Sequence, residues 1–503
     1  MPYQPLPLQL PPGLARQASS RASRGRWYDG NLVRWRDGVL QPMGGWKALP
    51  FTLPSPARAM LSWKSKAGVA LLAIGTREKL CIWDGSLRDI TPADMVVMEP
   101  PGLLDGFGVG DFGEETFGTP RTIEETGLAR VEPGDVWALD NWGEDLLALH
   151  TGNGKLYRWK AAGLPTDLAE VVPNAPIGAT AMCVTEERAV ALAGQSNDAR
   201  RLAWSDIENL EDWTATPDNI AGGLTLKTAG KPMAMRRSRD GVLVLTDDDA
   251  HLLRYVGVPL GYGIDRLATG CGPASPLAVT STAEFVVWLG AKGIWAYRGS
   301  VEPVPCPVGH DLAALLNRKT IPLAYAGVLD NEQEIFIGWP SEAANECDRY
   351  LLFSWRDSIW TWGRLQRCAF AQAGGGTNPL LAGLDGKVYE HEVGFDADGA
   401  TRVGDVWAET SDIELSAGAK QLVVRGIIPD TQGERDAVRF RFFLRDKPHG
   451  PEREVGPLLL QPGRDWIEAR FAATSIRVRV EATRDRPWAL GEVRLDAVPG
   501  SAR

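Results

Sequence analysis

Residues able to do acid–base or metal chemistry are scattered along this chain. The five histidines, His150, His251, His310, His391 and His449, stand too far apart to build a local zinc site. The six cysteines, Cys81, Cys183, Cys271, Cys306, Cys347 and Cys368, lack paired intervals and form no Cys-x-x-Cys motif. Contexts such as Leu80-Cys81-Ile82 and Met182-Cys183-Val184 mark most of them as small buried hydrophobes. Asp247-Asp248-Asp249 could, on a propeller, help converge a carboxylate pair for glycoside hydrolysis. Lying between two strands, the triplet reads first as a solvated turn. There is no Walker-type glycine loop, His-Glu-x-x-His or Gly-x-Ser-x-Gly. The expectation is a protein that is not an enzyme, with no catalytic residue, cofactor or metal.

Three other groups point to contact chemistry. Near the N-terminus, Arg24, Arg26, Trp27, Arg34 and Trp35 alternate cations with aromatics, a composition able to grip single-stranded nucleic acid or a partner protein. The other reading is that Trp27, Trp35 and Trp46 complete the first or last blade of a propeller. Residues 100–121 are dense in glycine and carry Phe107, Phe112 and Phe117, apolar rings on a segment too glycine-rich for a regular element. These phenylalanines are candidates for an assembly or channel loop, or for packing back on their own fold. Towards the C-terminus, Arg439, Arg441, Arg477 and Arg479 alternate with apolar residues, which puts them on one face of a sheet. Such a face is either solvated or a docking surface for carboxylates.

The elements that must position these groups come from a recurring unit: a short apolar run, a polar turn, and a second run closing on an aromatic. It runs from Val69 to Trp83, Leu146 to Trp159, Ala189 to Trp204, Val242 to Tyr255, Phe285 to Tyr297, Ile335 to Trp355 and Leu380 to Tyr389. The interval suits one four-stranded blade, and a blade with two apolar faces must stack in a closed set. Asp84-Gly85, Asn153-Gly154, Asp240-Gly241 and Asp385-Gly386 supply the positive-φ turns. Helical periodicity is scarce; Asp311 to Leu316 is the best stretch, with Asp311 placed to cap it.

These signals predict an all-β chain: a β-propeller of about six or seven blades followed by a C-terminal β-sandwich. Residues 1–50 form an extended segment closing or leading into the propeller. The propeller spans 51–394 with the Gly/Phe-rich insertion at 100–121, and the sandwich covers 400–503. A chain of 503 residues is long enough for two or more domains. Its net charge of -10 argues against a duplex reader that grips phosphates. No membrane segment or secretory leader is apparent, so a cytoplasmic site of synthesis is expected.

The order of several motifs is similar to the tail hub or nozzle proteins of short-tailed bacteriophages, also described as packaged-DNA stabilisation proteins. The residues are Trp204-Ser205-Asp206, Asp212-Trp213-Thr214, Ala221-Gly222-Gly223 up to Leu226, and the strand pair Gly241 to Leu245 and His251 to Tyr255. The opening, with Pro12-Gly13, Tyr28, Gly30-Asn31-Leu32-Val33-Arg34 and Gly44-Gly45-Trp46, resembles the N-terminal block of that family. The insertion at 106–118 looks like one in tail-protein relatives. The resemblance covers most of the chain and rests on motif order more than on any single motif. It implies a structural protein of the virion tail, assembled in the host cytoplasm as a homo-hexameric ring. The ring would sit against portal and adaptor proteins and against tail fibre, spike or needle proteins. It would retain packaged double-stranded DNA, let it pass without sequence-specific binding, and open for ejection. The alternative is a carbohydrate-binding or glycoside-cleaving propeller, with Trp360 and Trp362 as sugar platforms.

Overall fold

The computed structural model describes residues 5–16, 23–95, 137–374, 378–414, 420–447, 450–461 and 463–502. Among them, seven four-stranded antiparallel sheets form the blades of a propeller. Blades one to seven begin with strands Ala57–Lys64, Trp137–Trp142, Ala181–Val184, Pro232–Ser238, Val279–Ser281, Tyr325–Leu329 and Ala369–Ala371. These first strands touch one another in circular order, the seventh against the first, so the ring is closed.

The recurring sequence unit is the second and third strand of each blade. Trp83, Trp159, Trp204 and Tyr297 end third strands. Tyr255 and Tyr389 lie within theirs, and Trp355 directly follows its own. The turn glycines Gly85, Gly154, Gly241 and Gly386 all have positive φ, as the tight hairpins require. Second strands are buried on both faces, for example Asp145–His150 and Val190–Ala193, because each blade is covered by its two neighbours. Close packing between blades is visible at Gly327, where an added Cβ would sit 2.0 Å from the ring of Phe370 in the next blade.

Blade seven takes its fourth strand from the other end of the chain. Trp46–Ala48 pairs with Val388–His391, which joins residues more than 300 positions apart and closes the circle. The rest of the N-terminal segment goes elsewhere. Val33–Arg36 and Val39–Pro42 continue a sheet with Trp488–Ala502, Lys420–Gly433 and Ile467–Ala473, and Leu6–Leu8 also pairs with Trp488–Ala502. Trp27–Asn31 edges a second sheet made of Trp407–Thr410, Ser475–Ala482, Val438–Arg445 and Arg453–Leu459, with Ile413–Glu414 beside Ser475–Ala482. Each six-stranded sheet therefore mixes strands from both chain ends. Along Val438–Arg445 burial alternates, Val438, Phe440, Phe442 and Leu444 pointing inwards. Phe442 meets Phe471 of the other sheet with ring centroids 5.2 Å apart.

Two local expectations are corrected. The helix runs from Gly309 to Leu315 with Val308 at its N-cap, so Asp311 lies inside the first turn. There it pairs with Arg16 at 2.6 Å, which is what its carboxylate does in place of capping. Asp249 is fully buried rather than solvated. It holds Thr228 and Arg266, whereas Asp247 and Asp248 are exposed as a turn should be. Five of the cysteines are buried, and Cys306 is partly so.

Candidate functional site: an N-terminal clamp and an arginine ladder

The N-terminal candidates converge on the junction between the propeller and the two six-stranded sheets. Trp27 and Trp35 are buried, their rings 5.8 Å apart. Arg24 reaches Glu414 at 2.8 Å, and the backbone N–H of Arg26 approaches the Ser411 hydroxyl at 3.5 Å. Asn31 joins three segments: its amide nitrogen donates to the Asp405 carbonyl at 2.7 Å, while its amide oxygen accepts from the Arg364 N–H at 2.6 Å. Leu32, in left-handed backbone conformation at φ 52, donates its N–H to the Tyr350 hydroxyl at 2.8 Å.

Arg34 is the centre of this clamp. It sits on a strand of the sheet pair but donates both terminal nitrogens to Glu392, just past the third strand of blade seven, at 3.0 and 2.7 Å. Glu332 and Glu334 of blade six lie 3.3 Å from the same guanidinium. Burial lowers the basicity of Arg34, but Glu334, Glu392 and Glu332 together outweigh it and raise the pKa. Glu334 is the strained member. Burial pushes its carboxyl up to about 7, Arg34 pulling it down and Glu392 and Glu332 pushing it further up. Its Oε2 is buried without a hydrogen-bond partner. One cation thus fastens one sheet to two blades, and one carboxylate of the set is pushed up to about 7.

A second knot closes blade seven. The Trp46 ring stacks on His391 at 5.3 Å, and the guanidinium groups of Arg367 and Arg402 lie 5.0 and 5.3 Å from it. Arg367 donates its Nε–H to His391 Nε2 at 3.0 Å, which requires a neutral imidazole with an open lone pair there. Burial, with Arg367 and Arg402 adding, holds His391 well below the usual imidazole range. Arg402 spends its donors on the carbonyls of Phe395, Gly44 and Met43.

The arginine row faces outwards, as the alternation requires, but its charges are already paired. Arg439 and Arg441 both reach Glu481, at 2.6 and 3.2 Å, and Arg441 also meets Glu454. Arg479 reaches Glu481 at 2.8 Å and Glu409 at 3.6 Å, and Arg477 reaches Glu452 at 2.8 Å. Arg479 lies over Trp407 at 4.0 Å and Arg477 over Phe443 at 4.6 Å. This is a cross-strand ladder of ion pairs that stiffens its own sheet. Phe107, Phe112 and Phe117 lie outside the described residues.

Chemistry on the propeller axis has little to work with. The small axial cavity, about 90 Å³, is lined by the first strands of all seven blades or the residues just before them, and by Thr151. Met60, Met182, Met233, Met235, Tyr325 and Phe370 line it with Arg58 and Arg236, and no carboxylate is among its described lining residues. Trp360 and Trp362 are buried. Trp360 stacks on Phe353 at 4.4 Å and Trp362 donates its indole N–H to Asp29 at 2.8 Å, so neither ring is free to hold a sugar. Among the described residues no group of three or more His, Cys, Asp or Glu is arranged to hold a metal ion.

Sequence reasoning found Arg34 but not its partners. Glu332, Glu334 and Glu392 come from two blades, and their only signal is Glu334 at the head of the apolar strand Glu334–Trp339. No protein-family model and no curated protein matches this chain. Among solved structures, the Neurospora crassa Pan2 WD40 domain is similar at a TM-score of 0.39 and 12% identity, over 69% of this chain and 94% of that one.

Proposed function

We propose that this chain is a structural component of a short-tailed bacteriophage tail, a hub or nozzle subunit that acts by shape and stiffness. The carrying observation is the fastening of the closed ring by Gly30-Asn31-Leu32-Val33-Arg34, the same segment that carries the family resemblance. Asn31, through the Arg364 N–H, Leu32 and Arg34 tie propeller and sheet pair together at buried or part-buried sites. A subunit that bears load as a wall needs such a lock, because independent domains joined by a linker would hinge.

In this reading identical copies, six to a ring, surround a channel that continues from the portal and its adaptor. The channel runs between copies and not through a propeller, whose axis holds a cavity of only about 90 Å³ among the described residues. The acidic net charge of -10 keeps duplex DNA from adhering to the wall. Low-resolution imaging of the purified chain mixed with a portal–adaptor complex tests this. A six-fold ring capping the complex is expected; an isolated globule that ignores the complex would refute it.

A further inference from the structure

Blade four carries a hairpin unlike the others. Its strands Asp249–Gly257 and Gly261–Thr269 are nine residues each, the longest pair in the described propeller. One side of the hairpin end is anchored: Tyr262, opposite Tyr255 in the pairing, is buried, its ring 5.4 Å from Trp204, and its hydroxyl meets Thr185 at 2.7 Å and Glu187 at 2.9 Å on blade three. The turn and the strand residues before it are exposed instead. Tyr255, Val256, Val258 and Leu260 are 40%, 54%, 58% and 72% exposed, a cluster of large apolar side chains within six residues.

We propose that this tip is a membrane-contacting element that dips into the interfacial region of a lipid bilayer. Three observations select lipid over a protein partner. Residues Tyr255 to Ile264 carry no charged side chain, while Arg254 and Asp265 flank them 3.7 Å apart. The hairpin end is itself uncharged, the Glu187 carboxylate of blade three standing on its anchored side, and Tyr255 is the residue type that settles at headgroup level. The turn has one donor fewer to desolvate: strand pairing reaches Gly257 opposite Gly261, with a register shift at Val256, and Pro259 has no N–H. Finally, four side chains expose on the order of a few hundred Å², short of the roughly 800 Å² that each side of a stable protein interface buries. Shallow insertion has no such minimum, and repeated copies would add their contacts. The inference is independent of the tail reading.

The test is co-flotation of the full chain with vesicles of pure phosphatidylcholine at millimolar lipid. The wild type is expected to float with the vesicles, and a Val258→Asp/Leu260→Asp variant to lose at least tenfold in partitioning with its melting temperature unchanged. A milder Val258→Ser/Leu260→Ser pair should fall between them. A polarity-sensitive dye on Leu260→Cys should shift to the blue on adding vesicles. Wild-type protein that stays with the aqueous fraction, or aspartate variants that float equally well, would overturn the proposal. So would a tip that ignores vesicles but is saturably covered by a protein.

Discussion

Arg34 and Glu392, 358 positions apart in sequence, are joined by two hydrogen bonds of 3.0 and 2.7 Å across the junction between sheet pair and propeller. Both side chains are largely buried, at 5% and 14% exposure. Removing one partner of such a pair strands the other without solvent. Arg34→Met should therefore destabilise the chain by about 3–5 kcal/mol, seen as a lower denaturant midpoint. A loss below about 1 kcal/mol would mean the pair behaves like a surface contact.

Glu334 gives the junction a pH dependence of defined sign. With its folded pKa near 7 and an ordinary value of 4.5, the native chain keeps a proton between those limits that the unfolded chain has released. The stability from this group is complete below about pH 4.5, falls as pH rises through the window, and is level above about 7. Glu334→Gln should match the wild type near pH 5 and exceed it by about 2–3 kcal/mol at pH 8. Equal unfolding curves at both pH values would contradict this.

His391 works in the other direction. Its pKa is depressed, so below about pH 6.5 the unfolded chain takes up a proton that the native state refuses, and stability falls as pH drops. His391→Gln keeps an acceptor for Arg367 but cannot titrate. It should be less stable than wild type at pH 8, through loss of the stack on Trp46, yet lose less on going from pH 7 to 5. The slope that remains belongs partly to His251, also lowered by burial. An unchanged acid slope would remove His391 from this role.

The arginine ladder makes a different prediction from the one its sequence suggests. Glu481, 7% exposed at its side chain, is shared by Arg439, Arg441 and Arg479. Burial pulls its pKa up, but hydrogen bonds from Arg439 and Arg441 win and hold it below the ordinary 4.5. Its contribution is therefore present above about pH 4.5 and is lost as pH falls through the lower folded value. Glu481→Gln should cost about 1–3 kcal/mol at pH 7 and narrow the gap to wild type in acid. Reversing the four arginines to glutamate would break this sheet, so failed assembly of that variant could not identify a docking face.

The propeller was legible because its signal is local: each blade repeats two strands, a turn glycine and an aromatic within one stretch of chain. Alternation likewise placed Phe440 and Phe442 inwards and Arg439 and Arg441 outwards. What was not legible is long-range. Trp46 was expected to complete a blade, but nothing near it names His391 as the partner, and Trp27, expected to do the same, instead edges a sheet built mostly after residue 400. The clamp was half visible for the same reason, Arg34 standing out by composition while its carboxylates come from two blades. Asp249 was misread because a triplet of acids looks solvated, whereas strand register turned one of the three inwards against Thr228 and Arg266.

The division of the N-terminal segment sets the last expectation. A chain beginning at residue 51 would keep three strands of blade seven and lose the fourth, leaving Val388–His391 as an open edge. It would also lose Leu6–Leu8, Val33–Arg36 and Val39–Pro42 from one six-stranded sheet and Trp27–Asn31 from the other. Unpaired edges flanked by buried apolar faces invite pairing with other chains. Such a truncation should be recovered mainly as aggregate. Co-expression with residues 1–50 should restore soluble protein, because the missing strands are held by pairing and by non-covalent contacts such as those of Asn31, Leu32, Arg34 and Trp46. Size-exclusion chromatography of both preparations decides it: a monomeric, cooperatively unfolding 51–503 chain would show that the ring closes without its borrowed strand.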